Sequence, residues 1–74
     1  SPAINIYSYL LKKYKNIIAT DPFMDKLKNF KMYNYNYVIN KCDILIFLVS
    51  HKEYIDFMKK KHKNKILLNY CDFK

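Results

Sequence analysis

Ile44-Leu45-Ile46-Phe47-Leu48-Val49, followed at once by Ser50-His51-Lys52-Glu53, is the stretch on which the fold turns. Six apolar residues in a row, without a polar face, have the length and composition of a central parallel strand covered by helices on both sides. The next four residues read as a capping box. Ser50 caps the Glu53 amide, and the Glu53 side chain returns to the amide of Ser50. Tyr54, Phe57, Met58 and Lys61 then continue on one helical face, and the lysine-rich residues 59–65 end that helix. Residues 65–70, Lys-Ile-Leu-Leu-Asn-Tyr, read as a last strand.

Working back from residue 44, Tyr37, Val38, Ile39 and Cys42 predict a short helix closed by Asp43. Tyr33, Tyr35 and Tyr37 alternate with the period of a strand, which predicts an edge strand or an interface. Met24, Leu27 and Phe30 fall at helical spacing inside a Lys/Asn/aromatic stretch that reads as a loop with a short helix. Ile17-Ile18-Ala19-Thr20, stopped by Asp21-Pro22, reads as a short buried strand and a turn. Ser1-Pro2 has the form of a helix start. Ala3, Ile6, Leu10 and Tyr14, with Tyr7 and Leu11 beside them, supply the apolar face of that helix, and Lys12, Lys13 and Lys15 end it in agreement with the helix dipole.

Alternation of helices and strands requires crossovers and a parallel sheet. The expected fold is therefore a partial Rossmann-like three-layer α/β domain with a short parallel sheet, occupying residues 1–74 as one unit. A Rossmann unit opens on a strand. This pattern opens on a helix, so the first strand is expected upstream and the chain reads as a fragment.

The chain of 74 residues is 51% apolar and 18% aromatic, enough for a packed core but not for two. Fourteen basic against six acidic residues give +8, a balance that favours anionic partners. Every basic residue is lysine. A sequence-specific reader of nucleic acid uses arginine forks on guanine edges, so the composition argues against that class. Cys42 and Cys71 form no CxxC pair and sit beside no histidine cluster, which points to reduced, cytoplasmic thiols rather than to zinc or a disulfide framework. No apolar run approaches the roughly 20 residues that cross a bilayer.

Ser1-Pro2, Asp21-Pro22 closing a strand, Cys42-Asp43 leading into residues 44–49, and Ser50-His51-Lys52-Glu53-Tyr54 occur in an order and spacing that resembles the C-terminal UDP-binding domain of the UDP-glucose/GDP-mannose dehydrogenase family. His51, where the UDP-glucose enzymes more often show Trp, is closer to the dehydrogenases of UDP-N-acetylated hexosamines. The resemblance implies a parent enzyme that uses NAD to oxidise the sugar C6 alcohol of a UDP-hexosamine to a carboxylate for polysaccharide or capsule biosynthesis. It also implies further N-terminal and central lobes and a homo-oligomer. The family's reactive cysteine has no counterpart here: neither Cys42 nor Cys71 has its neighbours, so no catalytic residue and no NAD site is expected on this chain. The nucleotide-binding candidates are Ser1, His51 and Lys74. The family's closing Asp-x-Arg element departs in this chain, being either Asp72-Phe73-Lys74, with Lys74 in the arginine place, or Asn69-Tyr70-Cys71.

Single residues carry bland readings beside the functional ones. Ser1 as a helix cap competes with Ser1 as a phosphate contact. Asp21 as a turn cap competes with Asp21 as a ribose ligand. Phe47, Tyr54, Phe57 and Met58 read as core, and Lys59, Lys60, Lys61, Lys63 and Lys65 as a solvated face. A small basic module for nucleic acid or another polyanion, and a non-catalytic structural lobe, are the alternatives to nucleotide recognition.

Overall fold

The computed structural model describes residues 2–23 and 29–71. Its elements run α1 (Pro2–Lys13), α2 (Tyr35–Lys41), β1 (Ile44–Phe47), α3 (Lys52–Met58) and β2 (Ile66–Asn69). β1 and β2 pair in parallel, with Ile44 opposite Ile66 and Phe47 opposite Asn69. The β1–α3–β2 segment is thus a βαβ unit, and the chain is mixed α/β with a partial Rossmann-like layout. The ladder is extended at both ends, by the Ile66 amide donating to the Asp43 carbonyl at 2.8 Å and the Tyr70 amide donating to the Phe47 carbonyl at 2.9 Å.

β1 does not bury both faces. Leu45 and Phe47 are buried, whereas Ile44 and Ile46 are exposed. An all-apolar run conceals this, because alternation shows in a sequence only when the second face is polar. The buried side meets Val38 of α2 and Tyr54 of α3. Ile18, Tyr33, Tyr35, Ile39, Val49, Phe57 and Leu67 pack around these four. Phe47 contacts Tyr54 edge-on at 5.9 Å and Phe57 at 6.2 Å between ring centroids. His62 stacks on Phe57 at 3.9 Å, with its Nε2 2.7 Å from the Phe57 carbonyl.

Three local expectations change. Residues 17–20 join no ladder. Their Ala19 carbonyl accepts from the Tyr33 amide at 2.7 Å, so the β-branched run is held by a loop instead of a neighbouring strand. Tyr35 and Tyr37 belong to α2, not to an edge strand: Asn34 Oδ1 accepts from the Asn36 and Tyr37 amides at 2.9 and 3.4 Å and so starts a helix. Tyr33 and Tyr37 then stack across one turn at 5.7 Å. Finally, α3 is capped by His51 rather than by Ser50. The backbone stays extended through residue 51 (φ −137°, ψ 142°), and the ring Nδ1 accepts from the Glu53 amide at 3.3 Å.

α1 presents Ala3, Ile4, Tyr7 and Leu10 half-buried, while Ile6, Leu11 and Tyr14 are exposed, so its inward stripe is rotated toward Tyr7 relative to the expected one. Tyr7 meets Phe30 at 5.4 Å. The expected short helix around Met24 and Leu27 falls outside the described residues. Among the described residues no helix is long and apolar enough to cross a membrane.

Candidate functional site

Ligands of open α/β sheets bind beyond the carboxyl ends of the strands. At that end of β1 lies a cavity of about 310 Å³, lined by Thr20, Asp21, Pro22, Asn34, Tyr35, His51, Glu53 and Tyr54. Three chain segments converge there: the end of the 15–21 stretch, the start of α2 and the start of α3. Each arrives with its terminal amides already tied down. Asp21 Oδ1 accepts from the Phe23 amide at 2.7 Å, Asn34 caps α2 and His51 caps α3.

Tyr54 forms the floor. Its ring stacks on Tyr35 at 5.4 Å, meets His51 at 5.2 Å and stands edge-on to Phe47. Burial pushes the Tyr54 phenol up to about 12. The charges of Asp21, Tyr35 and Glu53 add to the shift, and a hydrogen bond with the Thr20 side chain opposes it. Tyr35 is raised too, by burial first and by Glu53 second. Both phenols therefore stay protonated at neutral pH and are available as neutral donors.

The cavity is electrostatically unlike the chain around it. The protein carries +8, yet among the described residues no lysine lines the cavity, while two carboxylates do. Lys52, nearest in sequence, is exposed and faces Asp56 at 3.6 Å in an i,i+4 pair. Carboxylates accept from hydroxyls, amines and ring N–H groups and repel phosphate, so the cavity itself suits the neutral, hydroxyl-bearing part of a ligand. With Nδ1 accepting from the Glu53 amide, neutral His51 carries its proton on Nε2.

A larger apolar cavity of about 640 Å³ adjoins it, running between α1, residues 15–21, α2 and β1, with Ile44 and Ile46 among its lining residues. Thr20, Asp21, Tyr35 and Tyr54 line both. The arrangement is an apolar chamber, walled by Tyr7, Leu10, Ile18 and Leu45, behind a polar mouth. The mouth carries Asp21, Glu53 and His51 and is the candidate site. Tyr7, on the chamber wall, is raised by burial and then by Tyr33.

Of the residues singled out from sequence, His51 lies in the mouth and so does Asp21, which acts as a turn cap and a lining residue at once. Ser1 and Lys74 lie outside the described residues. Of the two readings of the closing element, Asn69-Tyr70-Cys71 is described: Asn69 Oδ1 accepts from the Cys71 amide at 3.0 Å and the Cys71 thiol at 2.9 Å. Neither residue lines the mouth. Thr20, Asn34, Tyr35 and Glu53 were not expected there. Asn34 ahead of a hydrophobic run is an N-cap signal that would have placed the start of α2, and hence Tyr35, correctly. Among the described residues no three His, Cys, Asp or Glu side chains are grouped to hold a metal ion. No family model matches this chain, and no curated protein or solved structure matches it either.

Proposed function

We propose that the chain is the nucleotide-recognition lobe of a cytoplasmic UDP-sugar 6-dehydrogenase, and that the polar mouth takes the nucleoside part of the ligand. One observation carries the reading: a cavity at the carboxyl end of β1 pairs two carboxylates, Asp21 and Glu53, with an adjoining apolar chamber. A nucleoside has the matching order, with ribose hydroxyls donating to the carboxylates and a flat base beside Tyr35 and Tyr54. The phosphates then lie outside the mouth, away from Asp21 and Glu53.

The redox step belongs elsewhere in such an enzyme. The chain contains no glycine, so it has no glycine-rich turn to bring backbone amides against a dinucleotide pyrophosphate, and NAD does not fit these residues. NAD, the reactive cysteine and the homo-oligomeric contacts are assigned to the enzyme's other lobes.

The test is titration of uridine, UMP and UDP into the chain, followed by the His51 and Tyr54 resonances at two salt concentrations. Saturable shifts with uridine already effective, and little salt dependence, are expected. Absence of saturation overturns the reading. Exposed Lys59, Lys60, Lys61 and Lys63, clustered between α3 and β2, favour a second reading as a polyanion-binding module. Steeply salt-dependent RNA binding with no response to uridine would establish that one instead.

A further inference from the structure

α2 has an inner and an outer tyrosine. Tyr35 packs against Tyr54 at the start of α3, whereas Tyr37, two residues on and so about 200° round the helix, is 48% exposed. The Tyr37 ring lies nearly parallel to that of Tyr33, with centroids 5.7 Å apart and planes inclined by 16°. Tyr33 is anchored against the buried cluster, and the Lys31 ammonium stands over its ring, 5.1 Å from the centroid. Asn40 and Lys41, three and four residues after Tyr37, fall on the same side of α2 and are exposed. The order along this surface is therefore Lys31, Tyr33, Tyr37, Lys41, and α2 carries no acidic residue.

We infer that this outer strip binds single-stranded nucleic acid, with a base stacked on Tyr37 and the phosphates on either side of that base drawn to Lys31 and Lys41. Charge and shape together argue for that occupant. Lysines at both ends of the strip, in a chain of +8, select an anion. A ring stack with one exposed member selects an anion that also carries flat groups, and a nucleic-acid strand alternates the two at every nucleotide. An acidic peptide supplies the charge without the flat groups, and a duplex hides its base faces.

Lysine is a point charge without the fork that reads guanine, so the contact tolerates any sequence, as stacking does. The Asn40 amide, on the same side of the helix as Tyr37, can donate to or accept from a base edge or a ribose hydroxyl. The strip lies on the side of α2 away from Tyr35 and the polar mouth and uses none of the lysines at residues 59–63. The inference is therefore independent of the nucleoside reading.

The test titrates two oligomers into the chain, a thymidine hexanucleotide and an abasic strand with the same number of phosphates, and follows the tyrosine ring resonances. The expected result is saturable shifts at Tyr33 and Tyr37, with the hexanucleotide binding about tenfold more tightly than the abasic strand. Added salt should weaken both and leave their ratio in place. Tyr37→Leu, at an exposed position, should abolish the difference, and Tyr37→Phe should keep it. The comparison of the two oligomers on the unsubstituted chain stands without the variants. Equal binding of the two strands, shifts confined to residues 59–63, or equal movement of the same rings by polyglutamate each overturn the inference. Uridine shifts at His51 and Tyr54 are read separately, so either reading can fail alone.

Discussion

Tyr54 and Tyr35 stack with ring centroids 5.4 Å apart and planes inclined by 23°, which ties the start of α3 to the start of α2 directly over the carboxyl end of β1. The contact makes one side chain serve two purposes, since Tyr54 is both a member of the buried cluster and the floor of the polar mouth. Stability and ligand geometry are therefore coupled through it.

Truncating that side chain should be severe. Tyr54→Ala removes a buried ring and is expected to cost about 3–5 kcal/mol. At roughly 0.05–0.15 kcal/mol per residue, that is much of what a chain of this size possesses. Tyr54→Phe keeps the ring and loses only the Thr20 hydrogen bond, about 1 kcal/mol. Denaturant midpoints by circular dichroism check both.

Alkali should act through the same phenol. Its value is raised to about 12 in the folded chain from the ordinary 10.0. The unfolded chain therefore loses the proton first as pH rises, and linkage lowers stability between those two values while leaving it unchanged below them. Unfolding midpoints measured from pH 9 upward should fall for the native chain more than for Tyr54→Phe. Equal slopes would remove Tyr54 as the cause.

The cap of α3 can be separated from any ligand role of His51. His51→Ala should cost about 1 kcal/mol, and His51→Ser should restore most of it, because a serine oxygen can also accept from the Glu53 amide. Ser50→Ala should lie within about 0.5 kcal/mol of the native chain, since Ser50 is not the cap. If His51 also contacts the nucleoside, His51→Ser folds normally yet binds uridine more weakly than the native chain, as read by titration.

The two faces of β1 should differ sharply. Leu45→Ala opens a cavity in the buried cluster and should cost about 2–5 kcal/mol. Ile46→Ala, on the exposed face, should cost about 1 kcal/mol or less. Thermal midpoints of the two variants decide this, and similar losses would mean that the second face is covered in solution.

The α/β class and the βαβ unit were legible because residues 44–49 are long, apolar and followed by a helix start, and residues 66–69 repeat the pattern. One-sided burial was not, since Ile44 and Ile46 are as apolar as Leu45 and Phe47. The run at residues 17–20 has strand chemistry, but a ladder needs a partner edge, and sequence does not reveal which edge is within reach. Tyr33, Tyr35 and Tyr37 mimic a strand period, while the single oxygen of Asn34 decides for a helix. In the site, His51 and Asp21 were visible from their places after apolar runs. Tyr35 and Glu53 come to the same cavity only through the packing of α2 beside α3, a long-range relationship that no local pattern encodes.

The register of the sheet has a consequence for how the molecule assembles and comes apart. Each partner in the ladder is drawn from 22 residues away, as Ile44 is from Ile66. None of its bonds can form until α3 and the lysine turn after it have brought the two strands together, so the pairing pays loop closure before it gains anything. The same turn holds Lys59, Lys60, Lys61 and Lys63, all exposed. A protease that cuts after lysine would sever β2 from its covalent tether at the point that makes the sheet possible. The ladder hydrogen bonds and the packing of Leu67 against the buried cluster are then what keep a nicked chain in one piece.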